Sequence, residues 1–443
     1  MSSQRARDGA LLLRWLVGRP APSRDEILAF QTRRLRRLVE HAYRSVPYYR
    51  RLFDRHGLEP GDVRELSDLA SIPVSSRSDL QACAAEELTA VPPERLLATS
   101  TSGSSGRPLT IRRTVRERRL LGALRVAAMH EAGLRMRDRC ATITAVRPRD
   151  PRDTKRLLGA LYRAGLYRSL RVSGLEPLEG IARTLQEFRP HVLNGFPGVI
   201  SRLVPLIGGR AGGFRTRLVT PGGEVLTPSM RAQIAEGFGA RVVDFYASHE
   251  FNLIASECPP TGNYHVCDAG LIVEVVRDHR PVAQGERGEV VATALHSFAM
   301  PFLRYRLGDL VTRGPEPCAC GCPHATLRAI QGRMIDYFPL ADGRLLHPYE
   351  ITGSLLAELG PWVRQYQLTQ ETEDRIVLRV VPASGIPAER LNALEAALGR
   401  ILGPGVRGVL AIVPEIELEP SGKFRVSRSR VRSEYDGTDW SRA

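Results

Sequence analysis

The chain has 443 residues, a formal net charge of +15 and 43% hydrophobic residues, a length that exceeds one ordinary core and predicts two or three domains or subdomains. No apolar run approaches a membrane span, and Leu11-Leu12-Leu13 is cut at once by Arg14, which argues against a cleaved export signal and a membrane partner. Arginine is spread along the whole chain without a dense block or interleaved aromatics, so a mildly anion-attracting surface is expected and a dedicated nucleic-acid binder is disfavoured.

Residues 23–58 have largely helical spacing, with Ile27, Leu28, Phe30, Leu35, Leu38 and Val39 recurring mostly at three or four, and Ser23 with Glu26 makes a capping box. This predicts an N-terminal helical cap interrupted near Pro47. From Arg64 to Leu88 short helices and turns lead into a serine- and glycine-rich loop, Thr99 to Pro108. A brief strand at Leu109-Thr110-Ile111 and a long helix from Arg116 to Ala132 follow. Strands are then predicted over 140–146, 191–194, 217–220 and 240–246, separated by helical stretches, the alternation of a mostly parallel sheet covered by helices. From about Gly270 the texture changes to β hairpins, with strands over 271–276 and 289–294. After Gly332-Arg333 come a helix over 351–359, strands over 366–368 and 375–381, and a helix over 387–402. The predicted fold class is α/β: a large multi-subdomain body over 1–333, with parallel sheets and helices plus a small β-rich subdomain, and a small α+β domain over 334–443.

Three features carry chemistry. Of 63 basic residues only Lys155 and Lys423 are lysine, the second in Pro420-Ser421-Gly422-Lys423-Phe424-Arg425. A compact charge on a mobile stem can reach a phosphate and a carboxylate as they react, a task for which arginine's planar fork is less suited. The loop Thr101-Ser102-Gly103-Ser104-Ser105-Gly106-Arg107 lacks Walker spacing. It nevertheless offers consecutive backbone N–H groups, hydroxyls and a guanidinium that can cradle a polyphosphate. The 7 cysteines are odd in number, and Cys258 with His265, then Cys318 with Cys320, crowd two short segments. Mixed thiolate and imidazole ligands suit a tetrahedral structural zinc, with Cys267, Cys322 and His324 as further candidates. That usage fits a reducing compartment, so a cytoplasmic location is expected.

The loop Thr101 to Pro108, Gly222-Gly223-Glu224, Tyr246-Ala247-Ser248-His249-Glu250, Arg304-Tyr305-Arg306-Leu307-Gly308-Asp309, Gly332-Arg333 and Ser421-Gly422-Lys423 occur in this order, and in it the chain resembles the adenylate-forming enzymes, the acyl-CoA synthetase and luciferase superfamily. Val46-Pro47-Tyr48-Tyr49-Arg50, Leu66 to Pro73, Glu257-Cys258 with His265, and Cys318-Ala319-Cys320-Gly321 are similar to the phenylacetate-CoA ligase branch. The resemblance implies that ATP and a carboxylic acid form an acyl-adenylate with release of pyrophosphate, followed by transfer to CoA. It implies that Thr101 to Arg107 embrace the β- and γ-phosphates, that Tyr246 lies against adenine, and that Gly222-Gly223-Glu224 border it. Asp309 would take the ribose hydroxyls with Arg333 assisting, Glu250 would hold Mg²⁺, and Lys423 would bridge the attacking carboxylate and the α-phosphate. Some members of the branch bind zinc with the same cysteine and histidine elements. The C-terminal domain would be a mobile lid.

Two positions depart from the pattern. His249 replaces the usual hydroxyl residue before the glutamate, where it either donates to the α-phosphate or faces the acyl group. Met334-Ile335 intervene before Asp336, so either Asp336 is the hinge pivot or the hinge chemistry is relaxed. For the acid, a small aromatic carboxylate is expected, with Asn194 and Phe196 as pocket candidates. Alternatives are transfer to an amine, an alcohol or a carrier-protein thiol, and a non-catalytic, zinc-stabilised anion- or nucleic-acid-binding protein.

Overall fold

The computed structural model describes residues 2–17, 22–100, 109–144, 168–174, 176–208, 213–224, 226, 228–333, 338–342, 345–346, 351, 355, 362–382, 388–417, 425 and 427–431. Two compact units emerge: Met1–Met136, Arg147–Leu166 and Val243–Ile330 form the first, and Arg137–Val146, Tyr167–Val242 and Gln331–Ala443 the second. Among the described residues no helix is long and apolar enough to cross a membrane.

The first unit opens with helix Ser2–Val17, which the sequence reading did not anticipate, and helix Arg24–Ser45. The second starts where its cap dictates: the Ser23 hydroxyl accepts from the Glu26 N–H at 3.2 Å, and the Glu26 carboxylate accepts from the Ser23 N–H at 2.8 Å. Pro47 cannot extend that helix but starts the next, Pro47–Arg55, at its first position. The buried face of Leu35, Leu38, Val39 and Ala42 shares one core with Tyr49, Phe53 and Leu303. Beyond the helices, eight strands form one sheet in the order Arg280–Pro281, Leu271–Arg277, Arg287–Ala294, Tyr305–Arg313, Thr326–Arg333, Tyr264–Val266, Ala255–Glu257 and Phe245–Tyr246.

Helix Arg24–Ser45 is fastened to this sheet through Arg34, whose guanidinium donates to the Leu295 carbonyl at 2.9 Å and lies 3.0 Å from His296 Nδ1. Arginine can only donate, so Nδ1 accepts and the proton sits on Nε2, which donates to the Ala269 carbonyl at 2.8 Å. Burial, and then the Arg34 charge, push His296 down to about 4 from 6.5. The unfolded chain therefore takes up this proton first as pH falls, and stability is lost between about 6.5 and about 4. The loss should reach about 3 kcal/mol, read as a fall in urea midpoint between about pH 7.5 and about pH 4.5 that shrinks in His296→Gln.

In the second unit five parallel strands lie in the order Arg168–Ser173, Arg139–Thr144, Val192–Gly195, Leu218–Pro221 and Arg241–Val242. Helices Leu178–Phe188 and Pro197–Ile207 share its core, where Ile143, Leu193 and Val219 meet Ile181, Val199, Ile200 and Leu203. A four-stranded sheet, ordered Arg407–Ile412, Arg375–Pro382, Val363–Thr372 and Ser427–Ser429, forms a core with helix Ala388–Leu402 through Leu378, Val380, Leu394 and Leu398. Of the helix expected over 351–359, only Ile351 and Leu355 fall within the described residues.

The stretch 240–246, expected as one strand, is two. Arg241–Val242 closes the parallel sheet and Phe245–Tyr246 joins the other. The break is made by Asp244, whose carboxylate accepts from the Phe245 N–H at 2.9 Å and from the Tyr264 hydroxyl at 2.8 Å, while its own N–H donates to Glu257 at 2.8 Å. Strand Arg168–Ser173 was not anticipated either. It lies at the sheet edge, where Arg168, Ser169 and Arg171 face water and leave little apolar pattern to read.

Candidate functional site

The serine- and glycine-rich loop connects two antiparallel strands, Leu97–Ser100 and Thr110–Arg113, in which Ser100 faces Thr110. Thr101, Ser102, Gly103, Ser104, Ser105, Gly106 and Arg107 themselves lie outside the described residues, as do Asp336 and Lys423. Arg333 ends strand Thr326–Arg333.

Within the first unit two hydrogen bonds join candidate residues to neighbours, Tyr246 to Asp309 and Tyr305 to Glu250. The Tyr246 hydroxyl donates to Asp309 Oδ2 at 2.6 Å, and the Tyr305 hydroxyl lies 3.4 Å from Glu250 Oε1. A local irregularity places Asp309. Arg306 pairs with Val291 and Leu310 with Glu289, so Leu307, Gly308 and Asp309 all stand opposite Val290. Gly308 has φ of 75°, a left-handed value that costs glycine little, and the bulge re-aims the aspartate. Just upstream Arg304 is buried, with Nε 3.0 Å from Glu274 Oε2 and Nη1 donating to the Ala70 and Ile72 carbonyls at 2.9 and 2.7 Å. Burial first pushes the Glu274 carboxyl up, and the Arg304 charge opposes it.

Glu250 is only 5% exposed, and its carboxylate is the hard oxygen donor that a magnesium ion accepts. His249 is exposed. Its neighbour Ser248 is a turn residue whose hydroxyl accepts from the Phe251 N–H at 3.2 Å. One residue that sequence reasoning missed sits against this turn: Arg113, whose Nη2 donates to the carbonyls of His249 and Glu250 at 2.9 and 2.5 Å. The signal was strand parity, since Arg113 shares the buried face of its strand with Ile111.

In the second unit Asn194, Phe196 and Gly222-Gly223-Glu224 come together at the carboxyl ends of adjacent strands, where Gly195 pairs with Pro221. The Gly222 N–H donates to the Gly195 carbonyl at 3.0 Å. The Glu224 carboxylate accepts from the Gly198 N–H at 3.1 Å, at the positive end of helix Pro197–Ile207. Asn194 is buried in its strand. Phe196 is buried too, and its ring lies against Gly174 and Gly223, where added Cβ atoms would approach to 3.4 and 3.3 Å. Strands Arg139–Thr144 and Val192–Gly195 send their chains to opposite sides of the sheet, the position at which open α/β sheets bind ligands.

The four expected donors lie together: one donor atom each from Cys258, His265, Cys318 and Cys320 lies within 4.8 Å of the others. A tetrahedral zinc with thiolates at about 2.3 Å would hold sulfurs about 3.8 Å apart, so the four need only a small closure. Cys320 Sγ is 3.3 Å from His265 Nε2, and the Cys322 N–H points at Cys320 Sγ at 3.4 Å. Burial raises the Cys318 thiol, but the Cys320 N–H, the Thr261 hydroxyl and His265 together bring it down to about 6. Burial, with the Cys318 and Cys258 sulfurs adding to it, pushes Cys320 up to about 12. The other candidates are not among these four donors. His324 Nδ1 is 3.0 Å from Asp268 Oδ2, and burial drives Cys267 up to about 12. Asp268 also accepts from Gln31 and the Ala325 N–H and pairs with Arg24, joining helix Arg24–Ser45 to the cysteine-bearing segments.

No protein-family model matches the sequence. The phenylacetate-coenzyme A ligase of Escherichia coli (strain K12) is 30% identical over 305 residues, covering 65% of this chain and 67% of that protein. The phenylacetate-coenzyme A ligase of Thermus thermophilus is 29% identical over 370 residues, covering 79% of each. Among solved structures, 2-hydroxyisobutyryl-CoA ligase in the postadenylation state, in complex with R3-HIB-AMP, aligns with a TM-score of 0.75 at 21% identity, covering 93% of each chain.

Proposed function

This chain belongs to the phenylacetate-coenzyme A ligase family of adenylate-forming enzymes, and from that premise we propose how its residues share the reaction. The protein is an AMP-forming acid-CoA ligase: it activates a carboxylic acid with ATP, releases pyrophosphate, and passes the acyl group from acyl-AMP to the thiol of CoA. Transfer to an amine, an alcohol or a carrier-protein thiol is not favoured, since these relatives are named as coenzyme A ligases.

The observation that carries the residue assignment is the Tyr246–Asp309 hydrogen bond. In this reading Tyr246 lies against adenine while its hydroxyl orients Asp309 to accept from the ribose hydroxyls, with Arg333 assisting. Glu250 would hold Mg²⁺, which when bound neutralises charge on the phosphates. The donors of Thr101 to Arg107 take the β- and γ-phosphates. Gly222, Gly223 and Glu224 keep a nucleotide-bordering role, and Lys423 supplies fixed positive charge where the carboxylate attacks the α-phosphate. His249, exposed at the turn, would meet the phosphate or the acyl group. Residues 334–443 act as a lid that swings about Arg333 to Asp336 between the half-reactions. Cys258, His265, Cys318 and Cys320 would hold a structural zinc that clamps the segment around 318–320 to the hairpin after Glu250.

For the acid we propose a compact aromatic carboxylate near Asn194 and Phe196, which the phenylacetate in the relatives' names supports. A pyrophosphate-release screen over arylacetic, benzoic and short aliphatic acids, with and without CoA, tests this. Aryl acids should give the highest kcat/KM and a CoA thioester by mass spectrometry. A preference for aliphatic acids would overturn the substrate class, and no exchange with any acid would overturn the residue roles.

A further inference from the structure

We propose that Arg113 is a positioning residue that ties the strand leaving the phosphate loop to the turn bearing Glu250, and so sets the aim of that carboxylate. The inference rests on the reading that Glu250 holds magnesium. Arg113 ends the strand Thr110–Arg113, directly opposite Leu97 at the base of the hairpin whose connection is the serine- and glycine-rich loop. From there one nitrogen, Nη2, donates to two successive carbonyls, His249 at 2.9 Å and Glu250 at 2.5 Å. Arg113 is 9% exposed and its Nε is buried without a hydrogen-bond partner among the described residues, so the guanidinium is not held there for solvation. Burying such a group is costly unless it is matched by charge. Negative charge on Glu117 and Glu250 opposes the lowering that burial imposes on Arg113.

The base from which Arg113 reaches is itself fixed. Thr114 caps helix Val115–Glu131, its hydroxyl accepting from the Glu117 N–H at 3.1 Å, while the Glu117 carboxylate accepts from the Thr114 N–H at 2.8 Å. The other Glu117 oxygen accepts from the Phe298 and Ala299 N–H groups at 2.7 and 2.9 Å. Arg112 is steadied by its N–H, 3.4 Å from Met300 Sδ. A guanidinium projecting from a braced strand end onto two carbonyls fixes the backbone of the metal-holding residue. Groups that orient a metal ligand in this way typically matter by roughly ten- to a hundredfold in metal affinity.

The test uses the full-length enzyme carrying Arg113→Met, Arg113→Lys or Glu250→Gln. Calorimetric titration with a non-hydrolysable ATP analogue, with and without Mg²⁺, gives a readout without turnover. Arg113→Met should weaken analogue binding by about tenfold or more with Mg²⁺ present and leave metal-free binding nearly unchanged. In turnover the Mg²⁺ concentration for half-maximal rate should rise while KM for the acid stays within about twofold, and Arg113→Lys should recover part of the loss. Backbone amide exchange at 249–252 should quicken in Arg113→Met. If Glu250→Gln loses the magnesium effect and Arg113→Met keeps it, the positioning role is wrong. Equal losses with and without Mg²⁺, tracking only a lowered melting temperature, would also overturn it. If Glu250→Gln itself binds the analogue with the normal magnesium dependence, the metal assignment fails first.

Discussion

Replacing Lys423 by alanine is expected to lower acid-dependent pyrophosphate release by on the order of a hundredfold or more, with ATP binding by calorimetry nearly intact. Attack of a carboxylate on a phosphate brings two anions together, and the barrier falls only if positive charge is already fixed where negative charge accumulates. This chain has 63 basic residues and has kept lysine at just two positions, so the composition tends to replace lysine wherever arginine serves. Lys423→Arg should therefore fail as well, because a planar fork does not reproduce a compact ammonium reaching two groups at once. Undiminished pyrophosphate release in Lys423→Ala would remove the residue from the chemistry.

The second large effect is expected at the cysteine cluster. Cys318→Ala should purify without the single bound zinc expected of the wild-type enzyme, measured by atomic emission, and should lose several kcal/mol of stability. Cys318 is 2% exposed and its sulfur is approached by Thr261 Oγ1 at 3.5 Å and Asn263 Nδ2 at 3.9 Å, so the site cannot relax by swapping in solvent. Cys322→Ser is the control. Cys322 lies outside the four clustered donors, so its metal content and melting temperature should stay near those of the wild type. A wild-type enzyme that holds no metal, and melts at the same temperature with and without a strong chelator, would dispose of the clamp.

Much of this was legible before any coordinate. The cap at Ser23 and Glu26 and the break at Pro47 are local rules of backbone chemistry, and the structure follows them. The ordered motifs singled out Tyr246 and Asp309, which a hydrogen bond joins, and the spacing of cysteines singled out four donors that lie together. What stayed hidden depends on contacts far apart in sequence. Nothing local announces that Asp244 collects bonds from Phe245 and Tyr264 and thereby moves the chain from one sheet to another. Arg113 was lost among many arginines, although its parity with Ile111 marked it as inward-facing. The bulge at Leu307 to Asp309 needs the partner strand to be seen, because an extra residue is defined only against the strand it fails to match.

Gly195 has φ of 142°, and a Cβ there would stand 2.2 Å from the Ile143 carbonyl oxygen. The central strand thus ends in a residue that selection cannot edit: any side chain would push two neighbouring strands apart. If the proposed acid pocket lies here, evolution of a new acid preference, or its engineering, is channelled away from that point and into the flanking Asn194 and Phe196. A library built on this scaffold should hold the glycine constant and diversify around it.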